Sequence, residues 1–261
     1  FSAFAKYDTD LHQQLLKTIY LSPKNHGIGR IKNVWTYLKN TLKKVKSNRG
    51  RIISFSGVDG AGKSTVLENV KQLLKEKYRR DVVVLRHRPS VLPILSAYKH
   101  GKAEAEKRAA STLPRQGANK NRLSSFVRFG YYFLDYLFGQ HYVHVKHIMR
   151  GKILLYDRYY FDFIVDGRRS NIDVGKTLPK FLYRFVRKPQ LNFFLYAPAD
   201  VILKRKQELP SKSILELTEN YRNLFEDLSK NEIENKRYIS LENIDKEKTL
   251  KTIIDHYVEL L

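Results

Sequence analysis

One stretch limits what this chain can fold into more than any other: Ile52-Ile53-Ser54-Phe55-Ser56-Gly57-Val58-Asp59-Gly60-Ala61-Gly62-Lys63-Ser64-Thr65. Residues 57–64 fit G-x-x-x-x-G-K-[ST]. The spacing makes a phosphate-binding loop for physical reasons. Glycines let the backbone bend, so that successive N–H groups point inward at anionic oxygens. Lys63 supplies a point charge for the β- and γ-phosphates, and the Ser64 hydroxyl suits Mg²⁺. The flanks agree. Residues 51–55 are a short β-type run, and Val66, Leu67, Val70, Leu73 and Leu74 recur at helical spacing. Strand, loop and helix is the context that the motif requires. The helix start adds its positive dipole end. Gly57, Asp59, Gly60, Ala61, Gly62, Lys63, Ser64 and Thr65 are therefore the candidates for holding a nucleoside triphosphate.

Further strands are predicted at 81–85, 153–157, 191–196 and 238–241, with helices at 121–149, 177–186, 199–208, 214–228 and 246–261. This alternation calls for an α/β fold, a five-stranded parallel sheet with helices on both faces. The second strand is apolar and β-branched throughout, as if covered on both faces. Arg86 and Arg88 follow it at the sheet edge where ligands collect in such folds, which makes them anion-contact candidates. The third strand ends in Asp157-Arg158-Tyr159. Asp162 and Asp166 continue at four-residue spacing, with Arg168 and Arg169 after them.

The helix at 121–149 carries aromatic residues nearly all the way round and is expected to be largely buried. Arg128, Tyr132 and Asp135 share one of its faces. A buried polar row needs partners, so these residues either line a pocket or satisfy each other. Residues 99–122 are polar and basic. They read as a loop that closes over substrate or as a variable insertion. Lys204, Arg205 and Lys206 precede a break at Pro210 and Ser211. Such a cluster swings over a triphosphate as a lid, or else lies on the surface.

The chain has no cysteine, which excludes disulfides, thiolate chemistry and Cys-based zinc sites. Its 49 Lys+Arg against 26 Asp+Glu give a net charge of +23, a field that attracts polyanions. Residues 1–50 look like a separate basic helical extension, and 51–261 like one domain. Ile31, Val34, Trp35, Leu38, Leu42 and Val45 form a single apolar stripe, with Lys32, Lys39, Lys43, Lys44 and Lys46 expected opposite and a chain break at Gly27 and Gly29. This helix either packs on a protein body or meets an anionic membrane or partner domain through residues 29–47. The chain opens on Phe1 and reads as a piece of a longer protein.

The phosphate loop, Asp157-Arg158-Tyr159 and the Arg205 region together resemble the thymidylate kinase family of nucleoside monophosphate kinases, over roughly 51–261. Arg88-Pro89, Asp157-Arg158-Tyr159-Tyr160 and Arg205-Lys206-Gln207-Glu208-Leu209 are similar to a bacterial branch linked to surface-polysaccharide gene neighbourhoods. The resemblance implies a P-loop kinase fold, ATP with Mg²⁺, and phosphoryl transfer to a small phosphorylated acceptor. It puts Ser64 and Asp157 at the metal and gives Lys63, Arg158 and Arg205 catalytic roles. Arg158 would hold the acceptor phosphate, Arg205 would be a lid arginine, and Asp59 would face the acceptor's sugar. Joined to the pocket reading, the expected acceptor contacts are Asp59, Arg88, Arg128, Tyr132, Asp135 and Arg158. Two features depart from the family. Its Glu-Pro-Gly-Gly-type turn is replaced by His87-Arg88-Pro89-Ser90, and its base-reading Ser and Tyr-Gln by residues 160–166. The phosphate machinery matches and the base-reading part does not. A sugar or glycan-precursor acceptor, and a nucleotide-binding module without turnover, are the competing readings. Nucleic acid is not required as a partner. A homodimer and a cytoplasmic or membrane-peripheral location complete the expectations.

Overall fold

The computed structural model describes residues 11, 13–14, 17–18, 22, 26–47, 50–89, 91–92, 122–230 and 237–261, with 38 and 41–47 by their backbone only. The loop expected at 99–122 lies outside them except for Arg122, which opens a helix. The chain divides into two compact units, Phe1–Asn48 and Arg49–Leu261. The first holds helix α1, Ile28–Ser47. Gly27 has φ +56° and precedes it. Gly29 does not break the chain as expected, since it lies inside the helix.

The second unit is built on five strands, β1 (Ile52–Ser56), β2 (Val82–Arg86), β3 (Ile153–Asp157), β4 (Leu191–Tyr196) and β5 (Tyr238–Glu242). All are parallel, in the order β2-β3-β1-β4-β5. The helices are α2 (Lys63–Glu76), α3 (residues 122–148), α4 (Phe161–Val165), α5 (Thr177–Leu182), α6 (Ala199–Arg205), α7 (Ser211–Leu228) and α8 (Lys246–Val258). Period-two alternation sorts β1 between two cores. Ile53 and Phe55 pack with Val66, Val70 and Leu74 of α2 and Ile253 and Tyr257 of α8. On the other face Ile52, Leu154, Tyr156 and Phe194 meet α3, α4 and α7 through an aromatic cluster around Tyr136, Tyr160, Phe161 and Phe225. Each large side chain buried this way contributes about 1.5–3 kcal/mol of transfer free energy.

Two expectations about burial fail. β2 is an edge strand, so its valines are half-buried and not covered on both faces. α3 is apolar all round but packs along one side: Phe129, Tyr132 and Tyr136 are buried, whereas Leu123, Val127, Phe138 and Val145 are exposed. α3 also departs from α geometry in π turns at Asp135–Gly139 and His144–Ile148, the kind of bulge that re-aims side chains near functional sites. Among the described residues, no helix is long and apolar enough to cross a membrane.

Candidate active site

Strand register sets the site. Phe55 lies opposite Asp157, so β1 and β3 end together, and the Arg158 N–H donates to the Phe55 carbonyl at 2.8 Å. The phosphate loop leaves β1 at that edge. Gly57 has φ +143°, and a Cβ there would collide with the Leu195 carbonyl oxygen, so only glycine fits. Gly62, at φ +82°, starts α2 with no side-chain cap and no acid in the first turn. By contrast α8 is capped by Asp245, which accepts from the N–H groups of Glu247 and Lys248 at 2.9 and 3.1 Å. The uncapped end of α2 therefore offers its orphan donors and dipole to an anion.

These N–H groups face a cleft of about 480 Å³ lined by Asp59, Gly60, Gly62, Lys63, Ser64, Thr65, Asp157, Arg158, Arg169, Arg205 and Lys206. Lys63 is buried, and its Nζ donates to the Val58 carbonyl at 2.7 Å, closing the loop on itself. Burial, then the charge of Arg158, bring its ammonium from the usual lysine range down to about 7, against the pull of Asp59, Asp162 and Asp157.

Arg158 has φ +73°, a costly conformation for a residue with a side chain. Its guanidinium donates to the Gly57 carbonyl (3.2 Å), to Asp162 (2.9 Å) and to Asp59 (2.5 Å). Arg169, from the 3₁₀ turn Gly167–Ser170, pairs with the other Asp59 oxygen. The Tyr221 hydroxyl of α7 donates to Asp162 at 2.7 Å. Burial works to raise the Asp59 carboxyl, but Arg158, Lys63 and Arg169 outweigh it and hold it well below the carboxylate range. Asp162 is lowered in the same way, burial being overcome first by Arg158.

Arg205 ends α6 and donates to the Asn243 carbonyl at 3.3 Å. Asn243 follows β5 and donates its amide to the Ala61 carbonyl at 2.8 Å. The lid candidate is thus joined to the back of the phosphate loop. Gly57 and Ala61 support the loop from behind, while the other expected loop residues line the cleft.

Arg88, Tyr132 and Asp135 are brought to each other and not to this cleft. Arg88 donates to Asp135 at 2.6 Å, with both side chains buried, and its guanidinium lies 5.0 Å from the Tyr132 ring centre. Asp135 also accepts from the N–H groups of Val91 and Leu92. A buried guanidinium needs a carboxylate, and α3 provides it; the result pins the chain after β2 to α3. The Tyr136 hydroxyl, donating to the His87 carbonyl, adds to that junction. Arg128 does not line the cleft, and among the described residues its buried Nε has no hydrogen-bond partner.

The sequence offers Arg169 only beside Arg168 and Lys206 only within the 204–206 cluster, and it gives Asn243 no motif. Arg168 and Arg169 adjoin, and only the 3₁₀ turn shows which one faces the cleft. Asn243 was findable from its position just after a parallel strand, where ligands collect.

No family model matches the chain. The crystal structure of thymidylate kinase from Ehrlichia chaffeensis is similar, with a TM-score of 0.50, over 81% of this chain and 99% of that one. This chain has a P-loop kinase fold. Sequence identity to that thymidylate kinase is 16%. The likeness is one of fold.

Proposed function

We propose that the chain is an ATP- and Mg²⁺-dependent phosphotransferase acting on a nucleoside monophosphate or a similar small phosphorylated acceptor. One observation carries this reading: an uncapped helix start, Lys63, Ser64, Asp157 and a three-arginine wall meet in a single cleft. The donors fit magnesium. Ser64 and Asp157 are hard oxygen ligands, and Mg²⁺ is held by one or two such groups together with phosphates and water. Bound Mg²⁺ would neutralise charge developing between the β- and γ-phosphates. The loop N–H groups and Lys63, whose ammonium has donors to spare beyond the Val58 carbonyl, would hold the triphosphate. Arg205, on the far wall, would meet the equatorial oxygens of the transferring group.

With Asp157 given to Mg²⁺, the carboxylates beside Arg158 favour a phosphorylated acceptor over a hydroxyl. A hydroxyl must lose a proton in the reaction and needs a base. Asp59 and Asp162 are locked in ion pairs below their normal range and accept protons poorly. A phosphate arrives already ionised. Its oxygen pair forms the new P–O bond as the β–γ bridge breaks, and the leaving pair stays on ADP. Arg158 and Arg169 would position it, with Asp59 dividing its two oxygens between them. The polysaccharide-linked branch is part of this proposal and rests on the sequence likeness at Arg88-Pro89, residues 157–160 and 205–209.

Thymidylate is expected to be a poor acceptor. The stretch that would read its base is occupied by Tyr160, Phe161, Phe163 and Ile164, all buried in the aromatic core. ADP release should be compared across nucleoside monophosphates, sugar phosphates and free sugars. Phosphorylated acceptors should stimulate it, with dTMP at least about tenfold below the best in kcat/KM. Preference for dTMP would overturn the second expectation, and stimulation by free sugars alone would overturn the first.

Arg205→Lys keeps the charge and loses the planar fork. It should lower kcat by at least about tenfold, short of the roughly 10³–10⁵ that a whole arginine finger contributes. ATP affinity should stay nearly unchanged, the signature of a contact made in the transition state. Single-turnover transfer and ATP titration on one preparation check this. A defect confined to ATP binding would remove Arg205 from the lid role.

A further inference from the structure

We propose that α1 binds reversibly along the surface of an anionic lipid bilayer. Ile28, Ile31, Val34 and Trp35 form one helical face, and their exposures are 85%, 67%, 51% and 68%. Isolated exposed apolar residues are ordinary, but a contiguous stripe of this kind marks a contact surface. Lys32 and Lys39 do not stand opposite it, contrary to what the sequence spacing predicts, while the side chains of Lys43, Lys44 and Lys46 lie outside the described ones. Lys32 and Lys39 share a shallow hollow with Ile28, Ile31 and Trp35, so they flank the stripe. From a flank, lysine stems lie along apolar surface while the ammonium groups reach out to polar headgroups. This is the geometry of a helix lying in a membrane interface.

Charge selects the bilayer. Ile28–Ser47 contains Arg30, Lys32, Lys39, Lys43, Lys44 and Lys46 and no Asp or Glu. A basic segment beside an apolar face is drawn to an anionic leaflet within a Debye length and then held by burial of the face. Trp35 and Tyr37 have apolar rings with a polar edge, which suits the headgroup level. α1 and the cleft belong to different compact units, so a membrane contact of the one does not rest on the phosphotransfer chemistry of the other.

Trp35 is the chain's one tryptophan, so its emission reports this face alone. The full chain is mixed at low salt with vesicles of phosphatidylcholine, or of phosphatidylcholine with phosphatidylserine. Emission should shift to the blue, and the protein should float with the serine-containing vesicles only. Lys32→Glu combined with Lys39→Glu should weaken binding at least about tenfold. Ile31→Ser should reduce the blue shift while circular dichroism stays unchanged. No flotation with anionic vesicles would overturn the proposal. So would flotation with unmoved emission and equal binding to heparin, since that pattern belongs to a polyanion contact, protein or nucleic acid, without lipid burial.

Discussion

Lys63→Ala should lower phosphoryl transfer about 10²–10³-fold while the fold persists. The residue is buried and is part of the cleft lining together with the loop, Asp157 and Arg158. A positive charge preorganised there acts where negative charge develops, so it contributes more in the transition state than in the ground state. The fold should survive for a second reason. In the free protein Lys63 is buried next to Arg158, and its pKa near 7 records how poorly the site supports the charge. Removing it relieves that cost. Between pH 7 and the ordinary lysine range the unfolded chain binds this proton and the folded chain does not, so the lysine contributes a stability that rises with pH. That slope should vanish in Lys63→Ala. Single-turnover transfer, with thermal unfolding at pH 7 and 9, checks both halves. Wild-type turnover in the folded variant would remove Lys63 from the chemistry.

Asp162→Ala should be the most destabilising single change near the site. Asp162 is fully buried, holds Arg158 and accepts from Tyr221. Truncation leaves a buried guanidinium with Asp59 as its only carboxylate and removes the acceptor of the buried Tyr221 hydroxyl. Breaking a buried pair from one side costs about 3–5 kcal/mol, a large share of the roughly 5–15 kcal/mol that holds a domain together. The pair's contribution is present above the unfolded carboxylate pKa and is lost as pH falls through the depressed folded value. Urea unfolding at pH 7 should show a lower midpoint with an unchanged m-value. A midpoint matching the wild type would mean that the Asp59–Arg158–Asp162 chain does not hold the cleft wall.

The phosphate loop was fully legible in the sequence, because its requirements are local: glycine at fixed offsets, Lys63 and Ser64 beside them, a strand before and a helix after. The strands were legible for the same reason. Their environments were not. Val82–Leu85 reads as interior, yet sheet order makes it an edge, and order depends on long-range pairing that periodicity does not report. In α3 the apolar ring gives no sign of which side is covered. Arg88 and Asp135 carry the same residue types as a substrate pocket and turn out to close on each other across 47 positions. The role of Arg169 was not readable, because it depends on Asp59, 110 positions away. Short-range chemistry was readable and ion pairs formed by the topology were not.

A nucleoside triphosphate bound against Lys63 should change the protonation of that lysine. In the free protein at pH 8 a lysine with a pKa of about 7 is about nine-tenths neutral. A bound triphosphate would favour its charged form and draw a proton from solution. Calorimetric titration with Mg-ATP at pH 8, in buffers of different ionisation enthalpy, measures that proton directly. The expected result is uptake of about 0.9 proton per ATP at pH 8, falling towards zero at pH 6 and absent in Lys63→Ala. Binding with no proton uptake at pH 8, or with the same uptake in Lys63→Ala, would contradict the assignment of this cleft.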